Sequence, residues 1–502
     1  MGMVAGFTAV IVLVGSVLAL PGTSSAPEPA MVSVAPHGLA QPACADTSLR
    51  MTFPEPVQLG SGGRLTVHRA DGTVADVVDL ADPASRQRTI GGARSDFGQL
   101  HLWNYEPVVV EGRTVSVYLH ARLDAGQLYY VTVDDGFVAG FPGIHSRTAW
   151  QFRTKHDPPA GSTTLTVDAT GGADFCTVQG AIDFVPEGND RPVRIDVAEG
   201  TYREIVYVPQ TKPHLRIVGA NRDRTVIAYP NNNVLNGDIA MASVPPEQSY
   251  CPRRVLPIPD RFNCWRAAVG VDADDFLMQD ITVHNLTPKG GSQAEAFRGN
   301  GERIVLSGVR LLSFQDTLRL QGKAYVTNSY IEGDVDFIWG TGGVFLEKSE
   351  LKAMSPGYYV QSRNLDGQPG YVFADVRLTR APDVPDESLY LARAELARFP
   401  TSQVVFIDAA MDSHVRAVGW QVFQPGDCGA ATQVRLWEYG STDLSGDPVD
   451  TSQRLACSRQ LTDDEAAALR DPSTVLGGWD PRADLRADSS TDVVPARQER
   501  GQ

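Results

Sequence analysis

Three consecutive stretches of this chain match in kind when laid over one another at a shift of 20 residues. Val305 to Asp316 reads VLSGVRLLSFQD, Tyr325 to Asp336 reads YVTNSYIEGDVD, and FLEKSELKA follows from Phe345. A repeat of this length made of short apolar strands predicts stacked coils, because no single coil can bury its apolar face alone. In such a stack, equivalent residues on neighbouring coils lie about 4.8 Å apart at the backbone. Asp316 and Asp336 hold equivalent places. Two carboxylates that close cannot both ionise cheaply, so one pKa must rise. The pair then divides into an anionic nucleophile or base and a protonated acid.

The surrounding texture extends the coil pattern. From Thr164 onward the chain reads as a strand, a Gly turn, one short helix over Thr177 to Val185, and then a long series of short strands with Gly and Asn corners. This predicts an all-β catalytic region over residues 164–481, a right-handed parallel β-helix whose opening helix caps the first sheet edge. The segment Asn231 to Asn263 breaks the rhythm and is expected to form a long loop beside the cleft. Residues 47–154 alternate instead: LRMTF, RLTVHRA, LHLWNY, VSVYLHA, YYVTV and TAWQFRT are separated by turn residues at short intervals. That pattern predicts a small β-sandwich, and it is similar to bacterial Ig-like domains. Residues 155–163 read as a linker, and residues 482–502 as a polar, disordered tail.

Compartment and partners are bounded by charge and cysteines. A net charge of −16 argues against nucleic acid, which rewards basic surfaces. The apolar run Val4 to Leu20, followed by a Pro/Ser/Ala-rich stretch, reads as a signal peptide over residues 1–26, with an uncleaved anchor as the alternative. No second run is long enough to span a bilayer, so a secreted or cell-surface protein is expected. The six cysteines fit an oxidising compartment. Two local pairs, Cys251–Cys264 and Cys428–Cys457, would leave Cys44 with Cys176. That is one of fifteen connectivities, and several buried free thiols is the bland alternative.

TVQGAIDFVP, the AEGTYREIVYVP run and the IVGANRDRTVI run resemble the entry coils of pectin methylesterases. QAEAF (Gln293 to Phe297), FQDTL (Phe314 to Leu318) and DVDFIWG (Asp334 to Gly340) resemble that family's three central motifs, in order. YVQSR, YLAR, the pair Gly419-Trp420 and WEYGSTDLSGDP follow in sequence. The resemblance implies that Asp336 is the nucleophile toward an ester carbonyl and that Asp316 is the acid that protonates departing methanol. It implies Arg393 as the fork that holds Asp336 ionised and aimed, and Gln315 and Gln293 as neutral donors to the oxyanion. No metal or organic cofactor is implied. For two Asp residues on such coils, the competing readings are turn-capping and a calcium site.

Two further positions bear on substrate. Trp339 follows the nucleophile motif and is a candidate to stack on a sugar ring, with corner packing as the equal alternative; Trp265 and Tyr358 are similar candidates. Glu395 stands two residues after Arg393, where the family carries an aromatic. An acid facing polygalacturonate would repel it unless Glu395 turns to solvent or pairs with Arg398. The expected function is hydrolysis of methyl esters of pectin or of another methyl-esterified polysaccharide, by a monomer. The rivals are an esterase or thioesterase acting on a less acidic substrate, and an inactive carbohydrate-binding envelope protein.

Overall fold

The computed structural model describes residues 31, 33–86, 88–94, 100–232, 235, 266–364, 366–423, 428 and 433–490. The expected signal segment, most of the loop after Asn231, Trp265, and the Cys251–Cys264 pair lie outside the described residues.

From Thr164 the chain winds into parallel coils. One sheet of 11 strands runs strictly in chain order from Thr164–Val167 to Arg459–Gln460. Within it Val305 pairs with Tyr325, and Tyr325 with Phe345, so the 20-residue shift seen in the sequence is the register itself. Successive residues along these strands are buried on opposite faces. Leu306, Val326 and Leu346 fill the interior of the coil. Val305, Tyr325 and Phe345 face outward, where Leu461, Ala466, Val475 and Leu476 of the C-terminal region cover them. Burial on both faces is why these strands read as continuous apolar runs.

Seven consecutive strands of this sheet, from Leu277–Gln279 to Arg435–Tyr439, leave through the same turn. Asp280, Asn328, Lys348, Asp375 and Asp408 all sit there at φ between 50° and 52°, with Gly308 and Gly440 completing the ladder. A left-handed residue is required at each of these seven turns, and Asn, Asp and Gly tolerate it best. Its N–H is used: Asp280 donates to Ser307 O at 3.1 Å and Asp408 to Tyr439 O at 2.8 Å.

The other faces of the coils merge into one 15-stranded sheet. They merge because two strands, Tyr330–Gly340 and Glu350–Ser362, run unbroken around a corner that separates two strands on other coils. Tyr330–Gly340 pairs at its start with Arg310–Leu312 and at its end with Leu318–Leu320. The helix Val178–Phe184, N-capped by Thr177, closes the front of the stack as expected.

The N-terminal region forms a four-stranded and a five-stranded sheet around its own core, which includes Phe53, Tyr129, Trp150 and Phe152. It begins earlier than residue 47: Ser33–Ala35 pairs with Leu49–Thr52, and Gly38–Ala43 with Gln151–Thr154. The two regions are clamped together. Cys44 is disulfide-bonded to Cys176, and the Asp46 carboxylate accepts from Thr177 N at 2.8 Å and Thr177 Oγ1 at 2.6 Å. Lys155 Nζ donates to Gly171 O at 2.6 Å and to Ala173 O at 2.5 Å. Cys428 is bonded to Cys457 at the far end.

The expectation of a disordered tail from residue 482 is corrected at its start. A helix spans Pro481–Ser490, and Arg482 Nη2 lies 2.5 Å from the buried Glu347. A charged partner on the outer face of the stack, invisible in the tail's composition, anchors this segment. Among the described residues no helix is long and apolar enough to cross a membrane.

Candidate active site

Both aspartates lie on the corner that the long strands bridge. Asp316 stands in the turn between Arg310–Leu312 and Leu318–Leu320, at φ 69°. Its N–H donates to Val335 O at 3.2 Å, so the coil bearing Asp336 is its direct neighbour. On that coil the pairing slips: Val335 faces Tyr358 and Ile338 faces Val360, leaving Asp336 and Phe337 opposite Tyr359 alone. This is a β-bulge, a device that re-aims side chains. Phe337 drives into the interior against Tyr359, ring centroids 5.1 Å apart, while Asp336, at φ 52°, turns the other way. Gly333 makes room, since a Cβ there would meet Phe337 Cβ at 2.2 Å.

Arg393 grips Asp336 with two prongs. Nε donates to Oδ1 at 2.6 Å, and Nη2 donates to Oδ2. Asp316 has a different partner: Arg266 Nη2 donates to its Oδ2 at 2.5 Å, and Arg266 Nε donates to Glu295 Oε1 at 3.0 Å. Arg266, Glu295, Asp316 and Asp336 are all buried. Burial pushes the Asp316 carboxyl up to about 7; Arg266 opposes this, and the nearby acids Asp336 and Glu295 add to it. Burial also raises Asp336, but there the hydrogen-bonded Arg393 pulls back toward the ionised form. The two acids thus sit in unlike environments, which is the condition for unlike roles.

Gln293 and Gln315 occupy matching places on adjacent coils, where Ala294 N donates to Gln315 O at 3.1 Å. Both are half-buried. Gln293 Oε1 accepts from Ser292 Oγ at 3.1 Å, which orients the amide.

Trp339 departs from the stacking expectation. It is fully buried, in the ladder Arg298–Arg319–Trp339–Gln361–Arg393 formed by direct strand partners. Long neighbours close over it: the guanidinium carbons of Arg363, Arg319 and Arg266 lie 4.6, 4.7 and 5.4 Å from its ring centroid. It packs a corner and offers no face to a sugar. The half-buried Tyr358 stacks on Tyr390 at 5.4 Å, with Arg393 5.2 Å from its centroid. Glu395 takes the pairing alternative: Gln361 Nε2 donates to it at 2.7 Å and Arg398 Nη1 at 3.3 Å.

Sequence reasoning missed Arg266, Glu295 and Gln361. Arg266 follows the interrupted segment, outside every motif, and carried no signal. Glu295 did carry one, as the lone acid between two alanines in the QAEAF motif.

A pectinesterase family model matches residues 164–244 and 259–470, more than half of the chain. The chain belongs to the pectinesterase family. Members of this family are carboxylic ester hydrolases, and so is this protein. It is similar to Pectinesterase 31 of Arabidopsis thaliana, 34% identical over 303 residues that cover 60% of this chain and 88% of that one. It is also similar to Pectinesterase QRT1 of the same plant, at 27% over 60% and 74% of the two chains. Among solved structures, carrot pectin methylesterase superposes with a TM-score of 0.53 at 22% identity, over 66% of this chain and 98% of that one. A pectin methylesterase solved with a hexasaccharide gives 0.50 at 24%, over 63% and 98%. The residues that the family model matches begin at 164 and leave the N-terminal sandwich outside.

Proposed function

We propose that this pectinesterase hydrolyses methyl esters of homogalacturonan by a double displacement at Asp336. An Asp336 oxygen attacks the ester carbonyl carbon, and the carbonyl electron pair moves onto oxygen, where the amide N–H groups of Gln293 and Gln315 meet it. A well-placed donor of this kind contributes about 3 kcal/mol. The C–OCH3 bond then breaks, and the departing oxygen takes its proton from Asp316, leaving as methanol. Water attacks the acyl–Asp336 anhydride while Asp316 takes back a proton, which frees the galacturonate carboxylate and both acids.

One observation carries this reading: Asp336 is held from two sides by Arg393 while the neighbouring Asp316 is set to retain a proton. A carboxylate is a weak nucleophile, so it needs both aim and an acid for the leaving group. The steps described use side chains of this chain alone. Methanol released from highly methylated pectin by the wild-type protein, and abolished in Asp336→Asn, is the expected result; equal release by both would place the chemistry elsewhere.

The pairing of Glu395 with Arg398 supports pectin over a less acidic substrate, because the acid's charge is answered before a polyanion arrives. The N-terminal sandwich is read as an Ig-like module that supports the catalytic region. Export to the cell exterior fits the two disulfides, Cys44–Cys176 and Cys428–Cys457.

A further inference from the structure

Arg266 and Glu295 are more deeply buried than Asp316. Their backbones are pinned together: Asn285 Nδ2 donates to Glu295 O at 2.8 Å and to Arg266 O at 3.3 Å, and Ala268 N donates to Glu295 O at 3.0 Å. Their side chains meet at 3.0 Å, and the same guanidinium reaches Asp316 at 2.5 Å. Among the described residues Glu295 Oε2 is buried without a hydrogen-bond partner. A buried acid oxygen left without a donor is a standing loss of stability, and the same backbone bonds would hold a residue of any kind at position 295. A requirement of the reaction accounts for the acid where packing does not.

We infer that Arg266 and Glu295 are positioning residues for the acid–base step: by dividing one guanidinium between two carboxyl groups, Glu295 keeps Arg266 from stripping the proton off Asp316. Paired with Asp316 alone, a buried arginine would favour the carboxylate strongly and leave no acid for methanol. Without Arg266, two buried acids would crowd Asp336 with no cation between them. The charged groups facing Asp316 are Arg266 and Glu295 from the preceding coils, and Asp336 and Arg363 from the following ones; Arg393 acts on it through Asp336. Of these, only Glu295 both shares the cation that binds Asp316 and stands apart from the nucleophile.

This inference rests on the acid role proposed above for Asp316. The test is the pH profile of kcat/KM for methanol release by the full chain and three variants, each checked for a native circular dichroism spectrum. Glu295→Gln removes the competing carboxylate from Arg266 and should move the alkaline limb down by about one pH unit, the effect of one nearby charge at an effective dielectric constant of about 20. Arg266→Met should move the same limb up by a similar amount. Arg266→Lys, which keeps the charge, should return it to within a few tenths of a unit. Opposite shifts from the two charge-removing variants cannot come from loosened packing, which would scale activity equally at every pH. Limbs that stay in place, or that move the same way in both, would overturn the inference and leave the double displacement standing. An Asp316→Asn protein as active as wild type would overturn the double displacement, and the inference with it.

Discussion

The two sheets of the β-helix are built from the same coils and do opposite things with them. In the 11-stranded sheet the coils repeat one another: strand pairs keep register, the left-handed turn recurs over seven successive strands, and apolar side chains are buried on both faces. In the 15-stranded sheet the corner at Asp316 and Asp336 breaks each of those habits. It carries a bulge, two left-handed aspartates that belong to no turn ladder, and buried charges. Regularity on one face supplies the stability that irregularity on the other consumes. The same coils can therefore hold a strained site without a separate scaffold.

Breaking the irregular face should abolish chemistry. Asp336→Asn is expected to lower kcat by about 10^4-fold or more, the scale seen when a nucleophile is removed, while the circular dichroism spectrum stays native. The regular face should respond in the opposite sense. Phe345→Ala removes a fully buried ring beneath the C-terminal cover and should cost about 3–5 kcal/mol in urea-melt stability, with kcat kept within a factor of two. If Phe345→Ala also crippled turnover, the division of labour between the sheets would be wrong.

The remaining tests sharpen the contrast. With its carboxyl raised to about 7, Asp316 is protonated below that pH and loses its proton above it. kcat/KM should therefore fall about tenfold per unit on the alkaline side of neutrality, and this limb should vanish from the residual activity of Asp316→Asn. Arg482→Ala leaves the buried Glu347 without its cation. Because Arg482 is partly exposed, the loss should be about 1–2 kcal/mol of stability, with the pH profile unmoved. Smallest of all, Glu395→Gln should change the preference between sparsely and highly methylated pectin by less than about twofold, since Arg398 already answers that charge. A large, salt-sensitive change would show that Glu395 faces substrate after all.

What the sequence disclosed follows the same division. The stacked coils were legible because apolar alternation and a fixed shift are local, repeating signals: Val305, Tyr325 and Phe345 align on paper as they pair in space. Asp316, Asp336 and Arg393 were legible through their motifs, and they do converge. Trp339 was not. Whether an aromatic on a groove strand faces solvent depends on what its neighbours along the ladder contribute, and here three arginines from other coils close over it. Arg266 was hidden for a related reason, since it reaches Asp316 across 50 residues of chain. The tail's order was hidden because its anchor, Glu347, lies 135 residues upstream. Contacts that skip coils leave no period to read.

The clamps at the two ends have a consequence for how this protein comes apart. A stack in which each repeat touches only its neighbours ordinarily frays from its termini. Here the front coil is tied to the sandwich by Cys44–Cys176 and by Asp46 on the capping helix, and the Cys428–Cys457 bond closes a loop beside the last strands. With neither end free to peel, the oxidised protein should melt in one cooperative step. Reduction should split that melt in two, the sandwich letting go first and the coils then unwinding from the end it had sealed.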